Sequence, residues 1–212
     1  LPPGYLEAVY ARVRAAGGLA IADEVQVGYG RLGRWFWAFE EQGVVPDIVT
    51  LAKATGNGHP VAAVVTTAEI ADRFGRDASF FASTGGSPLS CAVALAVLDA
   101  MEEEGTTENA RVVGARLKER LAALVDRHPL VGAAHGEGLY LGLELVRDPE
   151  TLEPAAEETD AIRERLRELG CVVQPTSDTM NVLKIKPPLV LAADDAARAV
   201  AVVDQALAEA AG

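Results

Sequence analysis

Three side chains in the first half of this sequence stand where polar groups can converge on one small molecule. Lys53 follows the apolar run Ile48–Leu51, so its amine is carried just past the end of a strand. A lysine amine so placed can attack an aldehyde carbon, form an imine and afterwards carry a proton. Asp23 closes an earlier apolar run beginning at Leu19, and a carboxylate there can keep a ring nitrogen protonated. Thr84 lies in Ser83-Thr84-Gly85-Gly86-Ser87-Pro88, a loop that opens a helix and can therefore hold a phosphate. Groups beyond the carboxyl ends of strands share one crevice in an open α/β sheet. Taken singly, each has a plainer reading: a turn or cap for the acid, a solvated charge for the lysine, an N-cap for the threonine. Their weight lies in arriving together, in order, at strand ends.

The elements that must position them follow from periodicity and punctuation. Tyr5, Leu6, Val9, Val13 and Ala16 form a helical stripe over 5–16 that Gly17-Gly18 stops. Leu19–Val25 reads as a short buried strand, Gly28, Gly30 and Gly33 as a loop, and Trp35–Gln42 as a short helix. Ile48–Leu51 and Val61–Thr66 read as further buried strands around the turn Gly56-Asn57-Gly58-His59-Pro60. Such strands between helices predict an α/β sheet covered on both faces. Pro88 suits the first turn of a helix running through Ala100. From about Gly105 the pattern changes. Amphipathic helices at Thr107–Arg127, Ala155–Leu169 and Asp194–Ala211 alternate with strands at Leu139–Val146, Val172–Gln174 and Val182–Ile185. The expected organisation is one sheet domain over 1–104 and a smaller α+β domain over 105–212.

Bulk composition narrows the function classes. The 212 residues are half apolar and about a quarter charged, which is ample for a core, and the net charge of -12 opposes nucleic acid and anionic membranes. Cys91 and Cys171 form no CxxC pair, which favours a reducing compartment, and no apolar run is long enough to span a bilayer. A cytoplasmic protein is expected. The sequence begins at Leu1 and enters a helix almost at once, as a cut through a longer protein would.

Three stretches together carry a specific resemblance. Asp23-Glu24-Val25-Gln26-Val27-Gly28-Tyr29-Gly30-Arg31-Leu32-Gly33 resembles the D-E-V-Q-x-G-x-G-R-x-G signature of class III aminotransferases. Pro46 to Gly58 is similar to that family's lysine segment, and Ser83–Pro88 to its phosphate-contacting loop. The resemblance implies a fold-type I, aspartate aminotransferase-like enzyme that uses pyridoxal 5'-phosphate (PLP), with this chain as its C-terminal half. It implies that Lys53 forms the Schiff base, Asp23 pairs with the pyridine nitrogen, Val25 packs behind the ring and Gln26 bonds its phenolic oxygen. Thr84 would bind the phosphate, in the neighbouring subunit's site of a homodimer.

Gly28-Tyr29-Gly30-Arg31-Leu32-Gly33 also spells a dinucleotide fingerprint, with Asp47 near the distance of a ribose-binding acid. That reading fails on context: bulky Arg34-Trp35-Phe36-Trp37 stands where a long helix should open, and Asp47 begins a strand instead of ending one. His59, His128 and His135 share no metal-like spacing, so no metal site is expected. His59 reads as part of a turn, with the pocket wall as the alternative. Cys91 reads as an inert core residue, and the aromatics at 35–39 as core or subunit packing.

The resemblance also bears on the reaction. Family members that transaminate amino acids commonly grip the α-carboxylate with an arginine before a Pro-Pro pair; here Lys184 occupies that place, ahead of Pro187-Pro188. A point charge does not reproduce a bidentate fork. This departure resembles the ethanolamine-phosphate phospho-lyase subgroup, which eliminates phosphate from phosphoethanolamine or phosphohydroxylysine. The alternatives are a true amino-acid or ω-transaminase with a keto-acid acceptor, and an inactive folding or dimerisation piece lacking the N-terminal half.

Overall fold

A computed structural model describes residues 1–210, and the chain divides into two compact units, Leu1–Thr107 and Glu108–Gly212. Position 211, the last residue expected in the C-terminal helix, lies outside the described residues.

In the first unit, helix α1 (Tyr5–Ala15) leads into strand β1 (Ile21–Asp23), followed by β2 (Ile48–Leu51) and β3 (Ala63–Thr66). β1 and β2 are parallel with Asp23 opposite Thr50, and β3 runs antiparallel to β2 with Ala63 opposite Leu51. The entry to β2 is tied down by Asp47. Its carboxylate accepts from the Ala20 amide at 2.7 Å and from the Arg14 guanidinium at 3.0 Å. The amide and then the arginine hold that carboxyl below the usual carboxylate range. Asp47 is therefore a clamp between α1 and the sheet.

Helix α2 (Ala68–Asp77) starts at Thr67, whose hydroxyl accepts from the Ile70 amide, and α3 (Pro88–Glu103) starts at Ser87, whose hydroxyl accepts from Ser90. The segment expected to be helical from Trp35 is a 3-10 helix over Ala38–Gln42 only. The expectation of a sheet covered on both faces is corrected. Ile21, Val64 and Val65 stand 59%, 65% and 53% exposed, so no described element of the first unit covers those side chains.

The second unit has a conventional core. Helix α4 (Thr106–Ala122) precedes an antiparallel sheet built from β4 (Val131–Glu137), β5 (Tyr140–Asp148), β6 (Glu153–Pro154), β7 (Gln174–Thr176) and β8 (Val182–Ile185). The order is β4-β5-β8-β7, with β6 paired to β5. Helices α5 (Ala156–Glu168) and α6 (Ala193–Ala210) complete the unit. In α5, Glu157 and Glu158 lie in the first turn and Arg165 and Arg167 in the last, which complements the helix dipole. Leu143, Leu145, Ile162, Leu166, Leu183 and Leu207 are closed to solvent in one cluster. Gly114 of α4 passes so close to Gly138 that a Cβ there would overlap its backbone, so only glycine permits the approach.

Candidate active site

Lys53 leaves β2 directly into a 3-10 turn, Lys53–Thr55, with φ of 49°. For an L-residue with a long side chain this left-handed geometry costs about 1–2 kcal/mol, so the surroundings must impose it. Several bonds do. The Thr55 hydroxyl donates to the Ala52 carbonyl at 3.2 Å and accepts from the buried Tyr29 hydroxyl at 2.9 Å. The Asn57 amide donates to the Lys53 carbonyl at 3.1 Å. Gly56 is required, since a Cβ there would overlap the His59 carbonyl oxygen. Tyr29 is itself seated against Phe36 and Trp37, with ring centroids 5.3 and 5.5 Å away. The aromatics after the glycine loop thus support the lysine turn through Tyr29, while Trp35 stays largely exposed.

Asp23 ends β1, the parallel neighbour of β2, so the acid and the lysine leave the same edge of the sheet. Its Oδ1 accepts from the Val25 amide at 3.1 Å and from the Thr50 hydroxyl at 3.3 Å. Both bonds fall on one oxygen. Next to it, buried Glu24 accepts from the Ala38 and Phe39 amides at 2.9 and 3.1 Å and so fixes the loop that carries Tyr29. Burial pushes the Glu24 carboxyl up, and these two amides offset part of that rise. Val25 is half-buried and Gln26 exposed.

A cavity of about 650 Å³ is lined by Lys53, Gly58, His59, Pro60 and Thr84 among others. The structure thus brings Thr84 to the cavity of Lys53 in its own chain. Lys184 belongs to the second unit, half-buried on β8 opposite Gly142 and Gln174. Cys91, expected in a core, is exposed: the small apolar residues of α3 have no covering layer here. Sequence reasoning missed Glu24, the Tyr29–Thr55 bond, and the contact of His59 with Ser90. Of these only Glu24 had a signal, as an acid within the signature beside Asp23.

Residues 1–207 match the family model for Aminotransferase class-III. The chain belongs to the class III aminotransferase family. It is 47% identical over 209 residues to alanine–glyoxylate aminotransferase 2 homolog 2, mitochondrial, of Arabidopsis thaliana, covering 99% of this chain and 43% of that protein. A phospholyase from Arthrobacter, solved in complex with phosphoethanolamine, superposes with a TM-score of 0.94 at 41% identity, over 98% of this chain and 49% of that one. An amine transaminase from an uncultivated Pseudomonas species, solved in its PLP-bound form, gives 0.89 at 36% identity, over 99% and 48%. The chain therefore spans less than half the length of these relatives. Its mixed helix–sheet fold is that of the fold-type I PLP enzymes. The residues present suit the cofactor chemically: an amine and a hydroxyl on the cavity wall, and a carboxylate at the adjoining strand end.

Proposed function

We propose that the whole protein is a PLP-dependent enzyme acting on a primary amine, with removal of phosphate from phosphoethanolamine or phosphohydroxylysine as its reaction. The observation that carries this reading is the shared sheet edge at which Asp23 and Lys53 leave their parallel strands, with Lys53 facing an open cavity. The cofactor, when bound, supplies an electron sink for the carbanion next to the substrate nitrogen. Lys53 would hold it covalently and, with its amine freed, would take the proton from the substrate carbon. Asp23, anchored through Oδ1 by the Val25 amide and the Thr50 hydroxyl, would keep the pyridine nitrogen protonated. By the family resemblance, Gln26 would bond the phenolic oxygen, Val25 would pack behind the ring, and the Thr84 hydroxyl would bind the phosphate, in a homodimer at the partner's site. Lys184 contributes an ammonium charge that stabilises the departing substrate phosphate.

A second reading is transamination, favoured by the 47% identity to a protein named as an alanine–glyoxylate aminotransferase. There Lys53 would return the proton it took, and a keto acid would accept the nitrogen. Free Cys91 and Cys171 suit a reducing compartment such as the cytoplasm, and among the described residues no helix is long and apolar enough to cross a membrane.

The test uses the full-length protein with phosphoethanolamine. Release of inorganic phosphate, abolished by Lys53→Ala, is the expected result. Turnover only with pyruvate or 2-oxoglutarate, and no phosphate released, would select the transaminase.

A further inference from the structure

We infer that His59 and Ser90 form a latch that sets the lysine loop against the phosphate loop, which makes His59 a positioning residue for Lys53. The inference rests on the reading of Lys53 and Thr84 as cofactor ligands. The His59 imidazole Nε2 lies 2.9 Å from the Ser90 hydroxyl, across thirty-one residues of sequence and shielded from full solvent contact. Each partner is rigidly coupled to one of the two loops.

On the lysine side, the path from His59 back to Lys53 is short and tightly rolled. The His59 amide donates to the Gly56 carbonyl at 2.9 Å, and the Gly56 amide donates to the Lys53 carbonyl at 3.3 Å. No room is left at Gly56 for a Cβ. A shift of the imidazole is thus passed to the Lys53 backbone. On the other side, Ser90 sits in the first turn of α3, where its amide donates to the Ser87 hydroxyl at 3.5 Å. The Ser87 amide in turn donates to the Thr84 carbonyl at 3.3 Å. Lys53, His59 and Thr84 all line one cavity of this chain, and in the proposed homodimer the latch therefore ties the Lys53 of one site to the Thr84 that serves the partner's. Tyr29–Thr55 holds the lysine turn from behind; His59–Ser90 sets its distance from Thr84.

The experiment follows covalent attachment of PLP to Lys53 in the full-length protein, by borohydride trapping and by the absorbance of the bound cofactor. Pyridoxal, which lacks the phosphate, serves as comparator. His59→Phe and Ser90→Ala should each slow attachment about five- to tenfold, the effect of one partly buried hydrogen bond. The double variant should be no slower than either single one, because both break the same link. His59→Gln, whose amide reaches the same hydroxyl, should recover most of the rate. Ser90→Ala should narrow the preference for PLP over pyridoxal, since the phosphate loop loses its register. Multiplying effects in the double variant, or rates that follow melting temperature with Gln no better than Phe, would overturn the latch. Lys53→Ala separates the two readings: if attachment persists without that lysine, the site assignment itself fails. If attachment is lost there but unchanged in the His59 and Ser90 variants, only the latch fails.

Discussion

In the second unit, Leu143, Leu145 and Leu183 of the sheet and Ile162, Leu166 and Leu207 of the helices exclude water almost completely. In the first, the strand residues Ile21, Val64 and Val65 are more than half exposed, and the fixed points are polar: Asp47 on Arg14 and Ala20, Glu24 on two amides, Tyr29 on Thr55. Burial stabilises strongly but has no direction, whereas hydrogen bonds fix direction at about 1 kcal/mol each. A lysine held in a strained turn needs the second kind of support. The unit that carries the candidate site is therefore held by specific bonds, and its neighbour in sequence by an ordinary core.

That contrast predicts unequal costs for the same truncation. Leu143→Ala should destabilise the second unit by about 3 kcal/mol, because a fully enclosed leucine leaves a cavity. Leu51→Ala, on a sheet with open faces, should cost about half as much, since the site can collapse. Chemical denaturation of both variants checks this. Equal losses would mean that the first unit is as well packed as the second.

The next effect in size isolates the polar support. Tyr29→Phe keeps the ring between Phe36 and Trp37 but deprives the buried Thr55 hydroxyl of its donor. We expect about 1 kcal/mol of lost stability. Covalent attachment of PLP at Lys53 should slow by more than the melting temperature alone would suggest. A variant with wild-type attachment kinetics would show that the lysine turn keeps its geometry without the tyrosine.

What was legible in the sequence divides along the same line. Ile48–Leu51 and Val182–Ile185 occupy the residues read as strands, because dense β-branched and leucine runs leave little choice. Helix α1 ends one residue earlier than read, at Ala15. Strand β4 was not legible: Val131 to Glu137 is rich in Gly and Ala, and it is a strand because β5 pairs with it. β7 lies two residues later than expected and contains Pro175, tolerated because β7 is the sheet edge. Helix α2 was missed because its apolar positions, Ile70 and Phe74, are sparse among charges. Apolar runs reveal strands but do not reveal whether a covering layer is present, hence the misjudged burial of Ile21, Val64 and Cys91. In the candidate site, residue type and strand-end position were readable for Lys53, Asp23 and Thr84. Its supports, Tyr29–Thr55 and His59–Ser90, pair residues 26 and 31 positions apart and needed the folded chain.

The smallest expected effect gives the two units opposite responses to acid. In the second unit, Asp204 accepts from His128 at 2.6 Å and from Arg127 at 2.6 Å, and these partners, His128 first, hold its carboxyl below the usual range. A depressed folded value means that Asp204 stabilises fully above the ordinary carboxylate range and loses that contribution as pH falls through the depressed one. Glu24 in the first unit has the reverse sign. Burial raises its folded value, with Glu40 and Asp23 adding to the rise and the Ala38 and Phe39 amides opposing it. Its favourable contribution is present below the ordinary range and fades as pH rises through the raised value. Melting curves recorded from about pH 3 to pH 7 should therefore show Asp204→Asn flattening the acid limb, and Glu24→Gln removing a decline on the other side. If both variants altered the same limb in the same direction, the buried carboxyl of the first unit would be ionised on folding, and Glu24 would be a charged anchor for the Ala38 and Phe39 amides.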